Sequence, residues 1–486
     1  MGVVVGDLLS AFETPRLHIG GEWVEATGGG TLPVENPATE EQIGVIADGS
    51  AADVDAAVVA ADAALAGWRA KSPSQRADLL LALERAIAAE EDDLARLDAL
   101  DCGSPVGAML DDVRGARREV RMFAGLATEI KANAVLNGEE QFAYGVREPF
   151  GVVGRIIPFN HPFKFAIGKT AAALVAGNTV VLKPAEQTSL SAIRLMELAA
   201  DILPPGVLNL ITGQGSVTGA RLAEHPDVPR VAFTGGVAAG RAVLRAGAEH
   251  FKTVTLELGG KNPMLVLPDA DPRAAALAAV NGMNFARSQG QSCQSNSRVF
   301  VHRDVRDAFT TALLERVAQF RLGDPLDTTV DMGPLAYRGH YDRVRHYVDR
   351  GIEEGARLLT PPQQLPERGY FVGPTVFDNV DTTMTIARDE IFGPVLSLIE
   401  WDDLDTAINA ANDTSFGLTA NVWTNDVKLA HRIAHRIEAG YVWINGQGKR
   451  VPGTPFGGYK QSGIGKESSL EEILEFTRHK IIAVSL

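Results

Sequence analysis

Residues 51–69 (AADVDAAVVAADAALAGWR) and 75–100 are rich in alanine and leucine. In the second stretch Leu79, Leu83 and Ile87 recur at i, i+4 and i+8, the stripe of an amphipathic helix, so two long helices are expected there. From Gly151 the texture changes to short β-branched runs divided by helical segments: VVGRII (152–157), TVVLK (179–183), VLNLIT (207–212), RVAFTG (230–235) and TVTLEL (253–258). Their starts lie about 25 residues apart, the length of a strand plus a crossover helix, which predicts a βαβ series and a parallel, doubly wound sheet. Such sheets bind nucleotides at the carboxyl ends of their strands.

A second alternation runs from about 262 to 460, with NPMLVL, SRVFVH, VLSLIE and ANVWTN as strands and 303–320 as a helix, and predicts a second α/β domain. GEEQFAYGVREP (138–149) and KIIAVSL (480–486) lie outside both series and read as strands in search of a partner, of the kind that pairs with another subunit. No internal repeat is visible, and ATGGG (26–30) reads as a loop.

The length of 486 residues exceeds one core and predicts two to four domains. Hydrophobic content of 45% with 22% charged residues is that of a folded globular chain. A net charge of -15 argues against a nucleic-acid surface, which depends on basic patches, and points to small-molecule partners. With only Cys102 and Cys293 there is no disulfide framework, and a reducing compartment is expected. The start MGVVVGDLLSAFETP lacks a basic region and a cleavage pattern, Gly6 stands where myristoylation wants Ser or Thr, and no run reaches the length of a membrane span. The expected location is the cytoplasm.

Cys293 lies in SQGQSCQSNSR (288–298). A free cysteine is often only a small buried hydrophobe. Gly290, Gln291, Ser292, Gln294 and Ser295 are poor core companions, however, and suit a loop whose backbone N–H groups face a ligand and stabilise a thiolate. A nucleophilic cysteine needs oxyanion donors and, if an acyl-enzyme forms, a base for water. IIPFNHP (156–162) offers Asn160 between two prolines that fix its backbone, and LELGGKNP (256–263) offers Glu257 at the end of a strand. Either residue could equally be a structural turn or a solvated loop charge. ITGQGSVTG (211–219) and FTGGVAAG (233–240) are weak phosphate-turn candidates, and LKPAEQT (182–188) adds Lys183 and Glu186 for phosphate or ribose oxygens. His431 and His435 have no third ligand, so no catalytic metal is expected, and Cys102 reads as structural.

Taken in order, IIPFNHP, GNTVVLKPAEQT, VAFTGGVAAG, LELGGKNP, GQSCQSNSR, EIFGPV (390–395) and PFGGYKQSGIGKE (455–467) resemble the aldehyde dehydrogenase superfamily, from LHIGGEWVEA (17–26) to the last strand. The resemblance implies two doubly wound Rossmann-like α/β domains plus a β-strand arm. Residues 1–126 and 150–259 would form the dinucleotide-binding domain, 260–461 the catalytic domain, and 127–149 with 462–486 the oligomerisation segments of a homodimer or homotetramer. It implies Cys293 as nucleophile, Glu257 as general base, and Asn160 with the Cys293 N–H as oxyanion hole. Lys183 and Glu186 match the adenosine-ribose contacts, Gly235, Gly236 and Gly240 the pyrophosphate turn, and Glu390 with Phe392 the nicotinamide side; Ile157, Pro158, Phe159, Gly213 and Leu258 complete the cofactor set. The activity implied is oxidation of an aldehyde to its acid through a cysteine thiohemiacetal and thioester. A carboxylate at Glu186 favours NAD over NADP, which remains the weaker alternative. The competing readings are an enzyme that passes the acyl group to coenzyme A, disfavoured by Glu257, and a non-redox cysteine hydrolase with His161 as base.

The chain departs from the family at the substrate side. Phe159 replaces a tryptophan, Gly236 a serine, His161 a phenylalanine, and Gly168 a tryptophan that narrows many tunnels. With Phe165 and Phe456 as walls, this implies room for a bulky, aromatic aldehyde. Arg287 matches an arginine that holds a carboxylate in semialdehyde dehydrogenases, with Arg450 beside the tunnel and the second usual arginine absent, which implies a carboxylate-bearing semialdehyde instead.

Overall fold

The computed structural model describes residues 8–12, 14–137 and 141–485. Its centre is an eight-stranded sheet whose five inner strands are all parallel: Val152–Ile156, Thr179–Lys183, Leu208–Leu210, Arg230–Thr234 and Thr253–Glu257. Numbered along the chain, they lie in the order 3-2-1-4-5. The order reverses between Val152–Ile156 and Arg230–Thr234, and a doubly wound sheet opens its ligand crevice at that reversal. Consecutive residues pack against opposite faces: Val153, Val180 and Leu182 join one apolar cluster, while Val152, Val181 and Val231 join another. Burial on both faces explains why these strands read as unbroken apolar runs.

The second sheet has seven strands, among them Pro263–Val266, Arg298–His302, Val395–Trp401 and Thr419–Trp423, also parallel and covered on both faces. The helix expected at 303–320 spans Arg303–Val317. The first long helix, Ala51–Ala70, starts on a reciprocal cap between Ser50 and Asp53. No helix among the described residues is long and apolar enough to cross a membrane.

Two expectations are corrected. The helix expected over 75–100 is two helices, Pro73–Ala89 and Glu91–Cys102. Glu90 leaves helical geometry and its carboxylate takes both arms of Arg194, at 2.6 and 2.7 Å. The break also places Glu91, Asp92 and Asp93 in a new first turn, where the helix dipole favours acids, instead of crowding them mid-helix. The strands expected at 138–149 and 480–486 do not wait for another chain: Gln141–Pro149 and Thr477–Ser485 pair with each other, antiparallel, along their full lengths. Ala134–Asn137 pairs on the other side of Gln141–Pro149, so it and Thr477–Ser485 form the two edges of this three-stranded sheet. Residues 138–140 and 486 lie outside the described residues. Gly463–Ile464 pairs with Leu256–Glu257 at the edge of the first sheet.

Candidate active site

Three loops converge at the carboxyl end of the first sheet. Strand Val152–Ile156 runs into Ile157, Pro158, Phe159 and Asn160, and the Ile157 N–H donates to the Lys183 carbonyl at 3.0 Å. Asn160 is buried; its Nδ2 donates to the Gln291 carbonyl at 2.7 Å. This bond fixes the amide with its nitrogen toward the cysteine loop and leaves the second N–H available.

The cysteine loop is tightly specified. The short helix Phe285–Ser288 is bracketed by Asn284 (φ 59°) and Gln289 (φ 54°), both left-handed, and Gly290 follows at φ 73°. A Cβ on Gly290 would strike the Gly393 carbonyl, so only glycine fits. The Asn262 Nδ2 donates to the carbonyls of Cys293 (2.8 Å) and Ser295 (2.9 Å), while its Oδ1 accepts from the Thr419 N–H. A Cβ on Gly260 would stand 2.6 Å from the Cys293 carbonyl, so LELGGKNP needs glycine to let the cysteine loop close on the glutamate strand. The Cys293 N–H makes no hydrogen bond among the described residues.

Cys293 stays partly exposed, yet burial, reinforced by the Glu257 carboxylate, pushes its thiol up to about 12. Both influences oppose the thiolate that the polar loop favours. Glu257, at the end of its strand, is buried and its Oε1 has no hydrogen-bond partner. Burial, then the neighbouring Glu467 charge, raises it well above the usual carboxylate range. Gly457 packs over it, where a Cβ would stand 3.0 Å from Oε1. Behind it Lys169 pairs with Glu467, and Arg155 meets Glu467 at 3.3 Å and Glu472 at 3.7 Å. Burial alone would raise Glu467, but Lys169 and Arg155 outweigh it and hold that carboxylate low.

The cofactor-side candidates also assemble. Lys183 Nζ lies 3.1 Å from Glu186 Oε2, and burial lowers the lysine despite that partner. Gly213 (φ 130°) begins the turn beside them. Helix Val237–Ala248 starts at Gly236 with no side-chain cap and with open space around that glycine, leaving free N–H groups and the positive end of the dipole for a phosphate. Gly240 has a packing duty: a Cβ there would lie 2.7 Å from the Leu258 side chain. A Cβ on Gly235 would lie 2.5 Å from the Phe233 ring. Glu390 accepts from the Gly260 N–H at 3.0 Å, and burial lifts it to about 7. Phe392, at φ 60°, presents its ring edge-on to Phe159 at 5.8 Å.

The substrate-side candidates have partners of their own. His161 Nδ1 lies 2.5 Å from Asp112 Oδ2, and its ring meets Phe165 edge-on at 5.4 Å. No hydrogen bond joins His161 to Cys293 among the described residues. Arg287 is paired with the same Asp112, and Lys164 approaches it at 3.6 Å. Burial would raise Asp112, but His161, Lys164 and Arg287 together hold it well below its usual range. The position a side chain at Gly168 would fill is taken by the Glu119 carboxylate. Arg450 stacks on Phe456 at 4.3 Å and donates to Ser468 Oγ at 3.1 Å.

Asp112, Lys164 and Lys169 carry no local signal in the sequence that marks them. Asp112 sits among DDVRGARREV, which reads as a solvated helix face. Its role makes a testable point: Asp112→Asn strips the counter-charge from Arg287 and Lys164. A loss of about 2 kcal/mol is expected, below the ~3–5 of a fully buried pair because both cations reach solvent, and a lowered urea midpoint would register it.

The family model described as the aldehyde dehydrogenase family matches residues 23–482. An aldehyde dehydrogenase from Bacillus cereus, solved as an NAD+ complex, is 39% identical, with 98% of each chain covered and a TM-score of 0.96. An NAD-dependent aldehyde dehydrogenase from Sinorhizobium meliloti is 37% identical over 98% of this chain and 96% of its own, TM-score 0.95. Betaine aldehyde dehydrogenase from Staphylococcus aureus, in complex with NAD+, is 35% identical over 98% and 95%, TM-score 0.94. With its doubly wound sheet and these converging loops, the chain belongs to the aldehyde dehydrogenase family.

Proposed function

We propose that this enzyme oxidises an aldehyde to the carboxylic acid through Cys293, with Asn160 and Glu257 as its partners and NAD as its cofactor. The carrying observation is the convergence of three side chains from three separate loops: a partly exposed thiol, an amide whose nitrogen is turned to the thiol's loop, and a buried carboxyl with an open oxygen. Cys293, partly exposed, gives up its proton to solvent water as sulfur bonds to the carbonyl carbon, and the resulting oxyanion takes hydrogen bonds from the Asn160 Nδ2 and the Cys293 N–H. Bound NAD+ supplies the hydride acceptor that turns the thiohemiacetal into a thioester. Glu257 then removes a proton from water, which displaces the thiol and leaves the acid.

The residues present fit NAD. Lys183 and Glu186 would take the adenosine ribose, the open N-terminus at Gly236 the pyrophosphate, and Glu390 with Phe392 the nicotinamide ribose and ring. The division into a dinucleotide domain (1–126 and 150–259), a catalytic domain (260–461) and assembly segments follows the sheets except at Gly463–Ile464. For a homodimer or homotetramer the natural contact is the exposed strand Ala134–Asn137, with Val135 and Leu136 64% and 80% exposed. Two free cysteines and the acidic composition suit the cytoplasm.

For the substrate we favour the bulky or aromatic aldehyde over the carboxylate-bearing one. Arg287 is already committed to Asp112, whereas the Glu119 carboxylate above Gly168 ends a flexible side chain that a guest displaces cheaply. A panel of aliphatic, aromatic and acidic aldehydes, followed by NADH formation with and without coenzyme A, tests activity and substrate together. Arg287→Ala should change KM for an acidic semialdehyde by less than about threefold. A much larger rise restores the carboxylate-bearing substrate, and NADH that forms only with coenzyme A overturns hydrolysis.

A further inference from the structure

The turn that follows strand Leu208–Leu210 is thin. It runs through Gly213, Gln214 and Gly215, and two of the three residues have no side chain. On one side lie Lys183 and Glu186: a Cβ on Gly215 would stand 3.8 Å from the lysine Nζ and 3.9 Å from the glutamate Oε2. On the other side lies Asp48, contributed by the N-terminal segment that precedes the βαβ series. Its Oδ1 accepts from the Gln214 N–H at 3.2 Å and its Oδ2 from the Gln214 Nε2 at 3.1 Å. A Cβ on Gly213 would come 3.2 Å from Asp48 Oδ1. The neighbouring backbone is laced to the same turn, since the Gly49 N–H donates to the Thr212 carbonyl and Thr212 Oγ1 donates to that of Ala47. Asp48 and Glu186 are the two carboxylates whose fields act on the buried Lys183 ammonium.

We infer that Asp48 is a second determinant of cofactor choice, acting through the glycine turn on the 2′ position of the adenosine ribose. The inference rests on the placement of that ribose at Lys183 and Glu186. A 2′-hydroxyl is neutral and gains or loses little from a carboxylate behind the turn. A 2′-phosphate is a dianion that would meet two carboxylates and one lysine, so Asp48 selects against it without touching it. The sequence reading assigned this selectivity to Glu186 alone.

The test is the ratio of kcat/KM for NADP to that for NAD, measured on the full chain as wild type, Asp48→Asn, Asp48→Glu, Glu186→Gln and the double variant Asp48→Asn/Glu186→Gln. Asp48→Asn removes the charge while keeping an oxygen for the Gln214 N–H. It should raise the ratio about threefold to tenfold in both backgrounds, and the gain should shrink between about 0.05 M and about 0.5 M salt, because an interaction across the turn is screened. Asp48→Glu retains the charge and should leave the ratio near wild type even if both activities fall. If Asp48→Asn lowers both activities equally and leaves the ratio unchanged, Asp48 only anchors the loop and the inference is overturned. A failure of the underlying placement looks different: Glu186→Gln would then leave both the ratio and the NAD titration curve unmoved.

Discussion

Cys293→Ser should abolish NADH formation from any aldehyde, with kcat down by about 10^4-fold or more, while NAD binding and the fold persist. The hydroxyl is smaller than the thiol, fits the same loop, and leaves the Asn262 bonds to the Cys293 and Ser295 carbonyls in place. Only the nucleophile changes, and a serine hydroxyl holds its proton far more tightly than a thiol and is the weaker nucleophile. A companion measurement reads the thiol's own state. With its titration pushed up to about 12, alkylation of the cofactor-free enzyme by iodoacetamide should be slow at pH 8 and should climb steadily with pH. The cationic nicotinamide of bound NAD+ should speed it. Cys102 is fully buried beside Met109, and burial raises its thiol as well, so it should stay unlabelled and serve as the internal control. An alkylation rate that levels off below pH 8 without cofactor would show a resting thiolate and contradict the electrostatics of the loop.

Whatever is local was legible in the sequence. The five central strands were visible because a parallel sheet buried on both faces needs continuous apolar runs, and VVGRI, TVVLK and RVAFT are such runs. The functional turns were visible because close approach demands glycine and fixed direction demands proline: Gly260 under the Cys293 carbonyl, Gly290 against Gly393, Asn160 between Pro158 and Pro162. What escaped are long-range partners. Arg287 could be matched to a carboxylate-binding arginine, but its partner Asp112 lies 175 residues earlier, on a helix whose charges look solvated. Gly168 suggested an open tunnel because Glu119, one helix away, cannot be seen filling it. Glu90 ended a helix that periodicity continued, because its partner Arg194 is 104 residues distant. The influences on the sulfur escaped for the same reason: the loop is polar residue by residue, but the burial and the Glu257 charge that raise the thiol come from the surrounding fold.

Glu257→Gln separates the two halves of the reaction. The amide cannot take a proton from water, yet it removes the negative charge that helps keep the Cys293 thiol protonated. Sulfur attack and hydride loss should therefore survive, giving a burst of about one NADH per active site, after which the thioester accumulates and steady turnover falls by about 10^2- to 10^4-fold. Mass spectrometry of the stalled protein should find the acyl group on Cys293, and added hydroxylamine, a nucleophile needing no base, should restore turnover in part. In the wild type the deacylation rate should keep increasing with pH above the usual carboxylate range, since Glu257 works only deprotonated and burial raises its titration. The stability consequence has the opposite sense. A carboxyl raised in the folded state binds its proton more tightly there than in the unfolded chain, so it costs stability progressively as pH rises from its unfolded value toward its folded one. Glutamine removes that cost, so the variant's Tm should match or exceed wild type at pH 8 and show no advantage at pH 4. A variant with no burst would assign Glu257 to the first half-reaction, and one with full turnover would leave the thioester without a base.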